Sequence, residues 1–484
     1  MGPGWTFTPS LTLQEALNDN IFQSETDRRW DLISYLTPGI AVSGDTQNVQ
    51  LRLDYQPSLE YYARTTSLNQ LAQNLDAVGN ITLWQDHLFL DVRATAGVAS
   101  ASGSTPGLGY GSGITGQQAV GSTGLTKQNS TQYTAYSASP YYLQQFDTYG
   151  TLKLGYTYSY STSSNNAGLV PLPVGTTGPS ATESSNQELM QFTTGTFLER
   201  ITDTVLLSAN QFQGTGASSS GGHNDTASNQ VNYALNRAIM LFGSIGYEDI
   251  DYGGTESLAI HDITWQLGTT WTPNPRSTLT LSYGHQQGVD SFSANGLYQL
   301  TGRTNVSVSY GETLGTELQA LQGQLSQADI NNSGTLVNSR TGAPLFSSTA
   351  LLGTATQVYR STTATVGTTT QLDRDTIGLN LQYAEYTAAG NGATGSTDGA
   401  TGTANWTHSL RDDLTLSTSA SYGIRWFVDP GGTNRYIALT ASLTYALTPT
   451  VSGSLSYSFY DLNSTQAGQT LYQDILILSL TKQF

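Results

Sequence analysis

Strict alternation of apolar and polar residues recurs along the chain and restricts its fold more than any other feature. Residues 451–459 are the clearest case, because every second position from Ser452 to Ser458 is a serine and the positions between carry Val, Gly, Leu, Tyr and Phe. Side chains of a β-strand point alternately to two faces. The same alternation occurs at residues 49–56, 151–158, 278–283, 376–383 and 437–445. The pattern predicts strands with one apolar face and one face of hydroxyls, amides and glycines.

The composition indicates where such strands are placed. Hydrophobic residues make up 37% and charged residues 11% of the chain, against roughly 45–50% and about 25% in soluble domains. Disorder needs high charge and few aromatics, whereas 10% of this chain is aromatic. A transmembrane barrel explains the combination, since one face of each strand meets lipid and the other a wet lumen.

The connections between these segments alternate in length. Short connections lie at 43–48, 85–87, 199–203, 236–238, 272–276, 301–304, 372–375, 410–413 and 448–450. Long, Gly- and Ser-rich ones lie at 101–130, 162–186, 214–224, 313–353 and 388–398. Short periplasmic turns and long extracellular loops are typical of outer-membrane barrels. We therefore predict an all-β fold: a single antiparallel up-and-down barrel over residues 1–484, with both termini periplasmic and about 22 strands in a range of roughly 18 to 24.

The C-terminal segment has an apolar face that ends on an aromatic residue. Leu476, Leu478, Leu480 and Phe484 share this face at the two-residue period, although Lys482 interrupts it. The segment resembles the last strand of bacterial outer-membrane barrels, which implies recognition by the barrel-assembly machinery. The alternative is an ordinary terminal strand of a soluble β protein.

Further features limit partners and location. Neither an apolar run of about 18 residues nor a signal peptide is visible, so we expect a chain whose leader has been removed. No Cys is present, which excludes disulfides and thiolate metal sites. The net charge of −17 argues against nucleic acid as a partner. The tryptophans fall near predicted strand ends, as interfacial girdles require; the alternative is a sandwich core.

The connection 313–353 differs from the other loops. Leu318, Leu321 and Leu325 share one face of a predicted short helix. A loop with its own apolar stripe is expected to pack on something. We predict that it forms an extracellular or lumen-folded lid or constriction; the alternative is a loose surface loop.

Motifs for chemistry are scarce. Asp329, Asn331 and Ser333 match half of a calcium loop, but Arg340 occupies the position of the bidentate Glu. The histidines (His87, His223, His261, His285 and His408) stand far apart in sequence. No nucleophile elbow, P-loop or dinucleotide fingerprint occurs. We therefore expect no enzyme, no cofactor and no metal.

A few charged residues are predicted to line the lumen. They are Arg52, Asp54, Asp91, Arg93, Lys153, Asp413 and Arg425. The strand register points them inward, and a charge facing lipid at the midplane would cost about 2–4 kcal/mol. They would stiffen the wall by cross-strand pairing or set a local field at a constriction. The many inward hydroxyls and amides suit hydrogen-bond exchange with sugar hydroxyls.

Several N-terminal stretches carry a family resemblance. These are WTFTPSL at 5–11, NDNI at 18–21, LTPGIAVSG at 36–44, LRLDY at 51–55 and LFLDVRA at 88–94. They resemble the start of outer-membrane β-barrel porins found in exopolysaccharide and PEP-CTERM/exosortase loci, and the resemblance covers about the first hundred residues. It implies an outer-membrane location among lipid and lipopolysaccharide and a role in exporting or holding exopolysaccharide.

Three functions remain open. The first is an export channel for a polysaccharide that works with a periplasmic export protein. The second is a general diffusion porin for small polar solutes. The third is a plugged, structural barrel whose loops bind a partner. A soluble sandwich is a weaker fourth possibility.

Overall fold

The computed structural model describes residues 4–100, 130–165, 181–215, 219–254, 257–330, 336–339, 358–390, 395–427, 431–465 and 470–484. Nearly all of these residues lie in strands of one antiparallel sheet, in which each strand pairs with its neighbours in sequence. The sheet closes because the first strand pairs with the last, from Ser10 opposite Gln483 to Asn18 opposite Ile475. The fold is therefore an up-and-down β-barrel.

The first half of the barrel has the following strands: β1 (Trp5–Asn18), β2 (Asp31–Asp45), β3 (Val49–Tyr55), β4 (Ser58–Tyr62), β5 (Gln70–Ala72), β6 (Leu75–Trp84), β7 (Leu88–Ser100), β8 (Ser130–Phe146), β9 (Gly150–Asn165), β10 (Ala181–Thr194), β11 (Ile201–Thr215), β12 (Ser219–Ala234) and β13 (Ile239–Gly254). Short 3-10 turns occur at Thr66–Leu68 and Thr196–Leu198.

The remaining elements are β14 (Leu258–Asn274), β15 (Ser277–Gln286), β16 (Val289–Gln299), β17 (Thr304–Gly315), helix α1 (Glu317–Ser326), β18 (Ala328–Ile330), β19 (Leu336–Asn338), β20 (Tyr359–Gln371), β21 (Asp375–Ala388), β22 (Ser396–Arg411), β23 (Leu414–Phe427), β24 (Gly432–Thr448), β25 (Val451–Ser464) and β26 (Leu471–Gln483). Strands β18 and β19 form a hairpin separate from the barrel sheet.

The barrel has 22 strands, as the sequence predicted. Segments β3 and β4 both pair with β2 and count as one interrupted strand, and β5 and β6 form its interrupted neighbour. The first interruption falls at Pro57, whose ring nitrogen has no hydrogen to donate to the ladder. Opposite it, the Gln56 amide donates to the Asn74 carbonyl at 2.8 Å, which holds the two interruptions side by side.

The predicted alternation of short turns and long loops is also observed. The short turns lie together at one end of the barrel with both chain termini; we call this the turn end. The opposite end, the loop end, carries residues 19–30 and the connection between β17 and β20. The connection between β11 and β12 is shorter than predicted, because both strands continue to Thr215 and Ser219. The predicted loops 101–130 and 162–186 lie largely outside the described residues.

Strand β25 shows how the alternating sequence maps onto the barrel. Ser456 and Ser458 are buried on the inner face, whereas Leu455 and Tyr457 are exposed on the outer face. Ser456 donates to Ser442 Oγ of β24 at 2.8 Å. Apolar side chains thus lie outside and polar ones inside, the reverse of a soluble protein, and this is the arrangement that a lipid environment favours.

The tryptophans support the same orientation. All seven are exposed, between 37% and 58% of their surface. Four lie toward the turn end: Trp5, Trp84, Trp271 and Trp406. A soluble sandwich would bury tryptophans in its core, so the structure is not of that kind.

The seam between β1 and β26 is covered at the loop end by residues 19–30. Asn20 donates through Nδ2 to the Tyr472 carbonyl at 2.9 Å. Gln473 donates to Asn18 Oδ1 and to the Asn20 carbonyl. Ile21 is fully buried against Ile33 and other inner residues of the seam. Residues 18–21 (NDNI) thus hold the first and last strands together at the loop end.

Among the residues described, no helix is long and apolar enough to cross a membrane.

Candidate functional site: a segment docked in the lumen

The described part of the connection between β17 and β20 turns into the barrel instead of away from it. We call residues 316–330 and 336–339 the lumen segment; it comprises α1 and strands β18 and β19. Thr316 begins α1 with a capping box, because its hydroxyl accepts from the Gln319 amide at 3.1 Å and Gln319 Oε1 accepts from the Thr316 amide. Such a box satisfies amides at the helix start that would otherwise lack partners.

The apolar face of α1 packs on the inner barrel wall. Leu321 and Leu325 are each 1% exposed and join Tyr133 and Ala135 of β8 in one cluster. Ile330 of β18 extends this cluster, and Val78 of β6 packs against it. Leu318 is also buried. The three leucines therefore lie on the predicted buried face, and the surface that covers them is the lumen wall.

Polar side chains hold the first turns of α1. Thr316 Oγ1 donates to Glu183 Oε2 of β10 at 2.8 Å. Gln322 donates to Ser161 Oγ of β9 at 2.9 Å and accepts from Ser185 Oγ of β10 at 3.0 Å. We call this set the latch. Tyr252 of β13 adds a bond to Gln319 Oε1 at 3.0 Å.

Two wall arginines hold the other end of the segment. Arg93 of β7 donates through Nη1 to the carbonyl of Ser326, the last residue of α1. Arg52 of β3 donates through Nη1 to the carbonyl of Ile330 at 3.1 Å. Cations at a helix C-terminus satisfy its free carbonyls and its dipole. Glu183 lies near the loop end of its strand and Arg52 near the turn end, so the segment spans much of the barrel height.

The start of α1 also faces the opposite side of the lumen. Glu317 interacts electrostatically with Arg425 of β23 and Tyr386 of β21. Burial raises the pKa of Glu317 well above its ordinary value, while the charge of Arg425 lowers it. Glu317 Oε2 is buried and has no hydrogen-bond partner among the residues that the structure describes. Since α1 touches β7 to β10 on one side and faces β21 and β23 on the other, the segment bridges the lumen.

The structure places most of the predicted lumen residues on the inner face. Arg52 and Arg93 contact the lumen segment, and Asp54 shares the face of Arg52 at the two-residue period. The Lys153 ammonium lies 4.6 Å from the centre of the Tyr141 ring and near Asp91. Arg425 lies apart from this group, beside Tyr436 and Tyr460.

Asp413 does not lie in the lumen wall. Strand β22 shifts register between Ser409 and Arg411 and ends there, which leaves Asp413 in the turn before β23. Its carboxylate accepts both bonds of the Arg411 guanidinium, at 2.9 Å each. Arg411 in turn lies over the ring of Tyr445, which is exposed on the outer face. The prediction extended the strand register through a turn, where it no longer applies.

The inner wall is chemically uneven. Charged side chains gather on β3, β6, β7 and β9, namely Arg52, Asp54, Asp76, Asp91, Arg93 and Lys153. On the opposite side, the described parts of β15 to β22 carry mostly hydroxyls and amides inside, with pairs such as Ser282 with Ser293 at 2.6 Å and Thr403 with Ser421 of β23 at 3.0 Å. The lumen segment sits on the charged side.

The outer face of β26 carries the predicted apolar row. Leu476, Leu478 and Leu480 are exposed on it, and Phe484 at its end is 69% exposed. Lys482 shares this face, with its ammonium 5.7 Å from the Phe484 ring centre. The Phe484 amide donates to the Pro9 carbonyl at 2.9 Å, so the last residue is tied to β1.

The fold brings together histidines that are distant in sequence. His223 and His261 both contact Asp249 Oδ1, at 3.2 and 2.8 Å, and His285 contacts Asp262 and Asp290. Within the described ranges, no group of three or more such side chains is arranged to hold a metal ion. Asn331, Ser333 and Arg340 of the half calcium loop lie outside the described residues.

Sequence reasoning missed the latch. Glu183, Ser161 and Ser185 look like ordinary inner-face residues of β9 and β10, and their partners are more than a hundred positions away. The Thr316–Gln319 spacing was an available signal, because it fits a capping box before an apolar stripe.

Solved structures with the same fold include siderophore receptors and an iron transporter. The siderophore receptor PiuA from Acinetobacter baumannii matches with a TM-score of 0.53 at 10% identity, covering 100% of this chain and 82% of that one. PirA from the same organism matches with a TM-score of 0.52 at 8% identity, covering 99% and 80%. The FrpB iron transporter from Neisseria meningitidis matches with a TM-score of 0.52 at 9% identity, covering 99% and 81%. At these identities the likeness shows the fold alone. No curated protein matches the sequence.

A family model does match part of the chain. Residues 368–484, from the end of β20 through β26, match the family described as "Putative beta-barrel porin 2". The resemblance to β-barrel porins is thus confirmed, but at the C-terminal end and not in the first hundred residues. The match does not show an association with exopolysaccharide loci. The C-terminal quarter of the chain is thus similar to the β-barrel porins, and the chain is a β-barrel protein of the bacterial outer membrane.

Proposed function

We propose that this protein is a gated outer-membrane channel for a polar substrate, with the lumen segment as its gate. The observation that carries the proposal is the position of α1 inside the barrel, bridged between Glu183 on one wall and the surroundings of Arg425 on the other. A helix in this place narrows the path through the lumen. Its removal would leave the 22-strand wall intact, because β17 and β20 pair directly with each other.

The contacts of the segment suit reversible docking. Its hydrogen bonds to the wall join side chains to side chains or carbonyls, and each such bond contributes a net of about 0.5–1.5 kcal/mol. Strand β17 ends at Gly315, directly before the segment, and pairs with β20 without it, so undocking need not disturb the sheet. With a few such bonds, the equilibrium between the docked and the undocked segment is one that a ligand of ordinary affinity can shift.

For the substrate we propose an exopolysaccharide that leaves the cell, delivered by a periplasmic export complex. The inner wall supports this choice, because hydroxyls and amides on β15 to β22 can exchange hydrogen bonds with sugar hydroxyls as a chain slides past. Weak, repeated contacts of this kind allow movement without trapping. The siderophore receptors share only the fold, so they provide no argument about the substrate.

A second candidate is a diffusion porin for small polar solutes. The buried leucines of α1 favour it, since Leu321 and Leu325 are as well packed as core residues and would make α1 a fixed constriction that selects by size.

Single-channel conductance in planar bilayers separates these functions. The intact protein is compared with a variant in which residues 316–350 are replaced by a short Gly-Ser link. A gated channel predicts little conductance in the intact protein and large, steady conductance in the variant. Steady conductance of the intact protein would favour the diffusion porin. Silence of both proteins would contradict any channel and leave a plugged, structural barrel.

A further inference from the structure

We infer that the charged inner wall beneath α1 is a binding site for the acidic group of an anionic sugar unit, and that an occupant competes with docking of the lumen segment. This inference rests on the proposed gate and adds what opens it. The site consists of Arg52, Arg93, Lys153, Asp91 and the aromatic pair Phe89 and Tyr141.

The bonds by which two arginines hold the segment go to neutral carbonyl oxygens. Arg93 and Arg52 donate to the main-chain carbonyls of Ser326 and Ile330. A guanidinium binds a carboxylate or phosphate through two parallel, charge-assisted bonds, which are roughly twice as strong as bonds between neutral groups. An anion within reach would therefore displace these carbonyls and release the part of the segment from Ser326 to Ile330.

The charges of this wall are not evenly distributed. All six charged side chains together are neutral, and Asp76 and Asp54 accept from the Thr95 hydroxyl at 2.9 Å and from Gln56 Nε2 at 2.8 Å. Asp91, Arg93 and Lys153 interact with one another and lie around the Tyr141 ring. These three side chains carry one net positive charge, so the part of the wall beside Tyr141 favours an anionic occupant over a cationic one.

Two buried polar atoms of this site have unused hydrogen-bonding capacity. Asp91 Oδ1 and Arg93 Nε are buried and make no hydrogen bond to the described part of the protein. A buried polar atom without a partner is destabilising, so a ligand that supplies the partner is favoured. A sugar unit supplies both kinds of partner: a hydroxyl donates to Asp91, and a carboxylate accepts from Arg93 Nε.

An aromatic pair lies beside the charges. The rings of Phe89 and Tyr141, on β7 and β8, stack with centres 5.1 Å apart and planes 18° from parallel. Lys153 Nζ lies 4.6 Å from the centre of the Tyr141 ring, a weak cation–π contact that an ion pair with an anion can replace. Apolar ring surface with a few converging polar groups is the usual make-up of a small-molecule site, and it suits the C–H face of a pyranose. The combination selects an acidic sugar over a free inorganic anion.

Isothermal titration of the purified barrel in detergent tests the site, with tri-galacturonate as the anionic probe and maltotriose as the neutral one. We expect tri-galacturonate to bind at least ten times more tightly than maltotriose. Arg93→Ala and Lys153→Ala should each weaken tri-galacturonate binding about tenfold, and Arg93→Lys should weaken it less than Arg93→Ala. Arg411→Ala is the matched control: it removes a cation at the turn end, on the outside of the barrel, and should leave tri-galacturonate binding unchanged. Equal binding of the two probes, or unchanged binding in both alanine variants, would overturn the inference.

The variant lacking residues 316–350 separates this inference from the proposed gate. Without a competing segment it should bind tri-galacturonate more tightly than the intact protein, and intact protein should conduct more when the probe is present. A deletion variant that conducts but fails to bind tri-galacturonate would leave the channel standing and refute the site. A deletion variant that binds the probe but stays silent would support the site and refute the channel.

Discussion

The hydroxyl of Thr316 donates to the carboxylate of Glu183 at 2.8 Å, and this bond joins the start of α1 to a barrel strand 133 positions away. Both side chains are buried. Glu183 Oε1 has no hydrogen-bond partner within the described residues, so Thr316 carries much of the stabilisation of that carboxyl. A hydrogen bond of this kind contributes a net of about 0.5–1.5 kcal/mol to docking.

Replacing Thr316 should therefore loosen the gate. Thr316→Val removes the bond to Glu183 and the helix cap, which adds about 0.5–2 kcal/mol to the loss. We expect the open probability of single channels to rise about tenfold or more. Thr313→Val is the matched control, because Thr313 bonds to Ser361 across β17 and β20 and does not reach the wall opposite. Equal opening in both variants would show that the bond to Glu183 does not hold the gate.

Glu317 should make docking depend on pH. Burial raises the pKa of its carboxyl above the ordinary 4.5, so the docked segment binds the proton more tightly than the released one. Docking is then strongest below about pH 4.5 and weakens as the pH rises, until the docked carboxyl ionises. The charge of Arg425 opposes this shift without cancelling it.

The measurement is open probability between about pH 4.5 and 8. In the intact protein it should rise with pH, and in Glu317→Gln it should stay low and nearly flat. Glu188→Gln, on the outer face of β10, should keep the slope of the intact protein. A slope that survives Glu317→Gln would assign the pH dependence to another group.

The barrel itself could be predicted from the sequence because lipid requires apolar side chains on the outer face of every strand. Leu379 and Leu381 of β21 are exposed on the outer face, as the alternation at 376–383 predicted. The strand must also end where turn residues begin, so the count and order of strands followed from local signals. Asp413 shows the limit: two residues past the end of β22, the alternation no longer predicts which way a side chain points.

The docking place of α1 could not be predicted in the same way. The spacing of Leu321 and Leu325 predicts that one face of the helix is buried, but it does not predict which surface buries it. That surface is formed by Tyr133 and Ala135, nearly two hundred positions earlier. Closure of the barrel, a property of the whole chain, brings the two together.

A charge on the outer face should destabilise the barrel, whereas one on the inner face should not. Leu381 is 63% exposed near the middle of β21, and Gln382 is its neighbour on the inner face. Leu381→Arg should lower the free energy of unfolding by about 2–4 kcal/mol, measured by urea titration in lipid vesicles. Gln382→Arg adds the same charge on the wet side and should cost less than about 1 kcal/mol. Equal losses would place both faces in the same environment and contradict the lipid-facing assignment.

The terminal phenylalanine should matter for assembly more than for stability. Its ring is 69% exposed, and the bond that ties it to β1 comes from its main-chain amide. Phe484→Ala keeps that amide, so the free energy of unfolding of protein refolded in detergent, measured by urea titration, should change by less than about 0.5 kcal/mol. In cells the same variant should give several-fold less assembled barrel, because the proposed assembly signal has lost its aromatic end. Phe7→Ala is the control, since Phe7 is another exposed aromatic residue near the turn end, 60% exposed and stacked on Trp5. If Phe7→Ala lowers assembly as much as Phe484→Ala, the loss belongs to the aromatic girdle in general, and Phe484 has no special role in recognition.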